Sequence, residues 1–206
     1  MRLVRTTVIL LAALAAGAGC SPSDPDAPRD WCADTIAALI SEQHRWYDYD
    51  MTHGRGNVDL TWMVTPPNPP ATAEQIDAAE QRLGKRLDRQ LRNWLEHANG
   101  WEFAFGTTTL YSTDQLTPDS PERDIFLEGI GETDTQIDEF GVDSFDDLTI
   151  IGTNDNQSRF ILTTGCADDS DCDSAPVWAF DGDIEKFAGL RDFLTKRVEG
   201  LKAAKR

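Results

Sequence analysis

Ile36, Leu39, Ile40 and Tyr47 recur at helical spacing inside "WCADTIAALISEQHRWYDY", and Asp30 stands where it can cap the first turn. The spacing predicts an amphipathic helix. In "NVDLTWMVT", Val58, Leu60, Trp62 and Val64 alternate with more polar neighbours, the period of a half-buried strand, and "PPNPP" ends it. Thr72 and Gln75 have the form of a capping box for a short helix that carries Ile76, Ala79 and Leu83 and stops at Gly84. Asp88 caps a further helix with Leu91, Trp94, Leu95 and Ala98 on its apolar stripe, closed by Asn99 and Gly100. Beyond it, Trp101, Phe103 and Phe105 alternate with Glu102 and Ala104 as a strand. Strands resume at "LTIIG", "RFILTT" and "PVWAF". Asp183 then reads as the cap of a last helix with Ile184, Phe187, Leu190, Leu194, Val198 and Leu201 on one side. No internal repeat interrupts this order.

Residues 112–147 break the pattern, with twelve acids from Asp114 to Asp147 set against Arg123 alone. This stretch reads as an exposed, partly ordered acidic face, pinned by Ile130, Ile137, Phe140, Val142 and Phe145. Its carboxylates Asp134, Asp138, Glu139, Asp143, Asp146 and Asp147 are the expected partner-binding residues. The whole chain of 206 residues carries a formal charge of -17, so nucleic acid is excluded as a natural partner, because phosphate backbones are bound by clustered Lys and Arg. A basic protein is the electrostatically sensible one.

Arg2 and Arg5 precede the apolar run "VILLAALAAGAG", which leads through small residues into Cys20. Residues 1–19 therefore read as an export signal, and the run is short for a membrane span, which takes about 20 apolar residues. The approach to Cys20 resembles a bacterial lipobox, with "SPSDPDAPRD" over residues 21–30 as a tether; Gly17 stands where that motif usually has Leu, which leaves ordinary cleavage near Gly19, and secretion, as the alternative. Lipidation of Cys20 would anchor the chain at a membrane, outside the cytoplasm, in an undetermined leaflet. Cys32, Cys166 and Cys172 then remain, an odd number that implies one bridge and one spare thiol. The polar run "CADDSDC" favours Cys166 with Cys172, and a pairing of Cys32 with either stays open.

Little in the chain points to catalysis. No nucleophile elbow, phosphate loop, dinucleotide fingerprint or paired CxxC is present. His44 and His53 bracket Asp48 and Asp50 without the spacing of a known metal site. His97, beside Glu96 and Trp94, reads as a residue that complements the C-terminal dipole of its helix. Asp169, Asp171 and Asp173 resemble the start of a calcium loop, but positions six and twelve hold Ser174 and Phe180 where glycine and glutamate are needed. No cofactor, metal or catalytic residue is expected.

The order of the pieces resembles the SUKH superfamily, which includes fungal cell-wall assembly regulators of the Smi/Knr type and many bacterial immunity proteins. The resembling residues are "ATAEQIDAAEQRLGKRLDRQLRNWLEHANGWEF", "LYSTDQL", "IIGTNDNQSRFILTT", "PVWAFDGD" and "FAGLRDFL", spread over most of residues 71–195. Asp88 stands where the family usually has proline, and "GTNDNQS" lacks the glycine-rich form common there. The resemblance implies a single α+β domain over residues 31–206, mainly an antiparallel sheet flanked by helices. It also implies action by protein binding, with a toxin domain as the most specific partner. The alternatives are a structural lipoprotein of envelope or cell-wall assembly, and an extracytoplasmic metal-dependent hydrolase using His44 and His53. Oligomeric state is not legible.

Overall fold

The structure is a computed structural model that describes residues 30–54, 58–133, 135–166 and 172–204. The leader, Cys20, the tether up to residue 29, Asp134, Asp169 and Asp171 lie outside the described residues. Six strands, β1 (Trp101–Phe105), β2 (Thr108–Leu110), β3 (Thr149–Asn154), β4 (Phe160–Thr163), β5 (Val177–Phe180) and β6 (Ile184–Phe187), form one antiparallel sheet in sequence order. Helices α1 (Trp31–Thr52), α2 (Ala73–Leu83) and α3 (Arg89–Leu95) precede the sheet, α4 (Pro121–Glu132) and α5 (Ile137–Phe140) sit between β2 and β3, and α6 (Leu190–Ala203) follows it. The expected α+β architecture is present.

The central strands explain the layering. Every residue of β4 and β5 is buried, so apolar groups leave these strands on both sides. Register puts Phe160 opposite Phe180 and Leu162 opposite Trp178 on one face, and Ile161 opposite Ala179 and Val177 opposite Phe187 on the other. On the first face, Phe126 of α4 meets Phe160 and Phe180 with ring centroids 5.5 and 5.6 Å away, and Phe140 of α5 meets Trp178 at 6.0 Å. On the second, Phe193 of α6 meets Phe187 at 5.1 Å and Phe105 at 5.9 Å. Helix α1 runs beside α6, and its Gln43 amide donates to the carbonyls of Phe103 and Ala104 on β1.

Four local expectations are corrected. The acids of residues 112–133 and 135–147 are largely exposed as expected, but the segment is more than an acidic face: it forms the helical layer that covers one side of the sheet. Phe126, absent from the expected anchors, is fully buried at the hub of a ring cluster with Phe140, Phe145, Phe160 and Phe180. Their acids misled the reading because charge was weighed by segment, whereas a helix can carry all its charge on one side.

Residues 58–64 are not a strand: Thr61–Val64 form one 3-10 turn, and Val58 is exposed. The Asp59 carboxylate accepts from the amide and the hydroxyl of Thr61, an Asx turn that bends the chain before any ladder can start. Residues 184–187 are strand rather than the first turn of the last helix. Gly182, at φ 97°, makes the Asp181–Asp183 turn that folds Ile184 back onto Phe180, and α6 begins only at Leu190. Finally, the alternation in β1 fails at Phe103, whose φ of 57° accompanies a shift of register, so Ala104 and Phe105 are both buried.

Phe126→Ala should therefore cost about 3–5 kcal/mol, the range for removing a fully buried ring. Urea unfolding measures it, and a loss below about 1 kcal/mol would mean that α4 does not hold the sheet's first face.

Candidate functional site

The helical layer turns its carboxylates outward, and the structure sorts them by what each does. Glu139 accepts from the Gln136 amide at 2.8 Å and Asp147 from the Ser144 amide at 3.0 Å, each closing a local cap. Asp146 is paired with Arg123. Asp138 and Asp143 are exposed and make no side-chain hydrogen bond or ion pair among the described residues. Of the expected partner-binding residues, Asp143, Asp146 and Asp147 come together along one groove, with Val142 and Cys166, whereas Asp138 and Glu139 lie on the preceding helix. The groove is not purely anionic. Lys85 enters it, its ammonium donating to the Asp147 carbonyl at 2.7 Å, and burial pushes its pKa down. Cys166 is joined to Cys172, with Cα atoms 5.6 Å apart, and Cys32 is a free, buried thiol.

A second, more uniformly acidic cleft lies over β1, β2 and the β3–β4 turn. Glu102, Glu122 and Asp155 line it with Asn68, Gln115 and Asn154, and no Lys or Arg does. The Asn99–Gly100 corner builds this cleft. Gly100 sits at φ 85°, where a Cβ would stand 2.7 Å from the Ser112 amide nitrogen, so only glycine lets the two segments meet. The Asn99 side-chain oxygen accepts from the Thr113 amide at 2.7 Å, and its carbonyl accepts from the Asn68 side chain at 3.0 Å. Phe103 and Gln157, the two non-glycine residues with positive φ among those described, both line the cleft. Strained backbone of this kind concentrates at functional sites. Glu102 and Asp155 are exposed, so the cleft can accept a cationic side chain from solvent.

The histidines resolve differently from expectation. His44 and His53 do not gather with a carboxylate; His44 is exposed, and His53 stacks on Tyr49 with ring centroids 4.0 Å apart, its Nδ1 2.9 Å from the Tyr49 carbonyl oxygen. His97, read from sequence only as a complement to its helix dipole, meets the start of α1. Its Nδ1 is 2.8 Å from the Asn93 carbonyl oxygen and its Nε2 is 2.6 Å from Asp30 Oδ2. Asp30 Oδ1 accepts from the amides of Cys32 and Ala33, capping α1 as expected. The Cys32 sulfur completes a group in which the three donor atoms lie within 4.8 Å of one another, the one such His, Cys and carboxylate cluster among the described residues. Sequence could not announce it, because Asp30 and His97 are 67 positions apart.

Cysteine, histidine and aspartate together suggest a nucleophile and its base, but the charge states oppose that chemistry. Burial, with the Asp30 carboxylate nearby, pushes the Cys32 thiol up to about 12, so it stays protonated. Both nitrogens of His97 face acceptors, an arrangement that favours the doubly protonated imidazolium, which has no lone pair for a base. Burial opposes that charge, yet the Asn93 carbonyl, the Asp30 carboxylate and nearby Glu96 together hold the His97 pKa above its ordinary value. Slight burial likewise works to raise Asp30, and the His97 contact and the two capping amides outweigh it and leave its pKa lowered.

The signs set a stability window for this clasp. The raised His97 contributes fully below its unfolded pKa and is lost as pH rises through the folded one; the lowered Asp30 contributes above its unfolded pKa and is lost as pH falls through the folded one. His97→Ala in metal-free buffer should remove about 1 kcal/mol or less at mildly acidic pH, since the pair is partly solvated, and progressively less as pH is raised. Urea midpoints of both proteins across pH check this, and a constant difference into the alkaline range would refute the ionic clasp.

No curated protein matches the chain. Residues 70–196, from the segment just before α2 into the body of α6, match the SMI1 / KNR4 family (SUKH-1). That span covers the Asn99–Gly100 corner, the whole sheet and the acidic helical layer, over half of the sequence, and the chain therefore belongs to the SMI1 / KNR4 family.

Proposed function

We propose that the protein is a non-enzymatic binding module whose acidic side holds a basic protein, with toxin neutralisation as its specific role. The observation that carries the reading is the two-sided helical layer: Phe126, Phe140 and Phe145 face inward, while Asp124, Glu128, Glu132, Asp138, Glu139, Asp143, Asp146 and Asp147 are exposed. Charges held on a clamped layer are preorganised, so little ordering is needed when a partner docks. Such a surface steers a basic partner and fixes its register. The cleft of Glu102, Glu122 and Asp155 supplies a seat for an Arg or Lys side chain. Family membership supports an immunity-like or cell-wall-related module.

In this proposal the leader and Cys20 place the module at the membrane, outside the cytoplasm, where it meets a toxin on arrival. The same leader favours a second reading, a structural lipoprotein of envelope assembly, in which the acidic side docks a basic envelope protein.

The test is crosslinking capture from native membranes, followed by affinity measurement with the recovered partner at low salt and at about 1 M, where the screening length falls to about 3 Å. Affinity should drop steeply with salt. A chain carrying Asp138→Asn, Asp143→Asn and Glu102→Gln should bind about tenfold more weakly at low salt with its unfolding midpoint unchanged, because exposed charges contribute about 0.2–1 kcal/mol each. Salt-independent binding would sink the electrostatic reading.

A further inference from the structure

We propose that Asp30, Cys32 and His97 form a zinc site that clips the start of α1 to the end of α3. The donor set is one carboxylate oxygen, one sulfur and one imidazole nitrogen, all types that zinc takes, within 4.8 Å of one another. Donors around a tetrahedral zinc stand about 3.2–3.8 Å apart, given bonds of about 2.0–2.3 Å. Asp30 Oδ2 and His97 Nε2, at 2.6 Å, must open slightly, and the sulfur must close by about an ångström or less.

The surroundings suit a metal in two ways. His97 Nδ1 lies 2.8 Å from the Asn93 carbonyl oxygen, a contact that orients the ring and presents Nε2 to the site, as the outer contacts of metal-bound histidines do. The Cys32 side is fully buried, whereas the Asp30 side chain is 48% exposed, so an ion has a route in and a fourth position open to water. Binding exchanges two protons for the ion: one leaves the Cys32 sulfur and one leaves His97 Nε2, both to solvent, and no redox step is involved. The exchange leaves the local net charge unchanged: the two protons released match the charge of the ion, and Asp30, Glu96 and the Cys32 thiolate then face Arg191 and the metal.

Asp30 and Cys32 precede the family span of 70–196, and His97 lies inside it. A zinc bridge would therefore fasten this chain's own N-terminal helix to the shared domain, adding to the stack of Trp31 on Trp94. Metal supply outside the cytoplasm would then govern how firmly α1 is docked.

The test uses the full chain without an affinity tag and with Cys20→Ser, which leaves Cys32 as the free thiol beside the Cys166–Cys172 bridge. Cobalt(II) should bind at one equivalent and give a thiolate-to-cobalt charge-transfer band in the near ultraviolet; zinc should displace it and raise Tm. His97→Asn should weaken zinc binding at least about tenfold. Cobalt uptake without a charge-transfer band, or a band and affinity unchanged in His97→Asn, would overturn the site. Cys32→Ser need not fold for this decision, because the band in the parent chain already reports sulfur ligation.

Discussion

A sheet that is apolar on both faces must be covered on both faces, and the rest of the structure follows from that constraint. Strands β4 and β5 send Phe160, Leu162, Trp178 and Phe180 one way and Ile161, Val177 and Ala179 the other. Leaving the Phe160, Leu162, Trp178 and Phe180 face in water would forfeit about 1.5–3 kcal/mol for each large side chain, a sum comparable with a domain's whole stability. Helix α6 with α1 covers one side, and the chain spends the long β2–β3 connection on covering the other. Phe126 is the point of closure, touching β4, β5, α5 and the 3-10 turn Phe145–Asp147 through ring contacts.

That closure also fixes in place the acidic segment proposed as a binding surface. Carboxylates on a disordered loop would attract a basic partner but would have to be ordered on binding. Here the ordering has already been done by aromatic burial. The local caps at Glu139 and Asp147 and the pair of Arg123 with Asp146 commit some charges to holding the layer, leaving Asp138 and Asp143 for an incoming partner. One segment thus supplies both a core layer and the exposed carboxylates on which the proposed binding role rests.

Three polar contacts act as joints between elements. Glu80, 6% exposed, accepts from the Leu87 amide and from Arg92, and so locks α2 against α3. Gln43 fixes α1 on the β1 backbone, and the Asp30–His97 clasp fixes the start of the same helix. The Gln43 and Asp30–His97 joints link segments distant in sequence, and those at Glu80 and Gln43 satisfy groups whose burial alone would be costly. The proposed ion would act at one of these joints and would use none of the carboxylates proposed for partner binding.

Local chemistry was legible in the sequence wherever neighbours along the chain decide the outcome. The caps at Asp30, Thr72 and Asp88, the stop at Gly84, the Asn99–Gly100 corner and strands β1, β3, β4 and β5 all rest on short-range sterics and hydrogen bonds. Net acidity was equally plain. What only the tertiary structure decided is which face of each element is used. Spacing alone could not separate the strand Ile184–Phe187 from a helix turn, because the choice depends on a free edge of β5 waiting to be paired. Composition hid Phe126 among acids, because burial is settled by the sheet it meets rather than by the residues beside it. The convergence of Asp30, Cys32 and His97 gave no signal, since their meeting is a product of how α1 packs on α3. Contacts between distant segments exist only once the layers have closed.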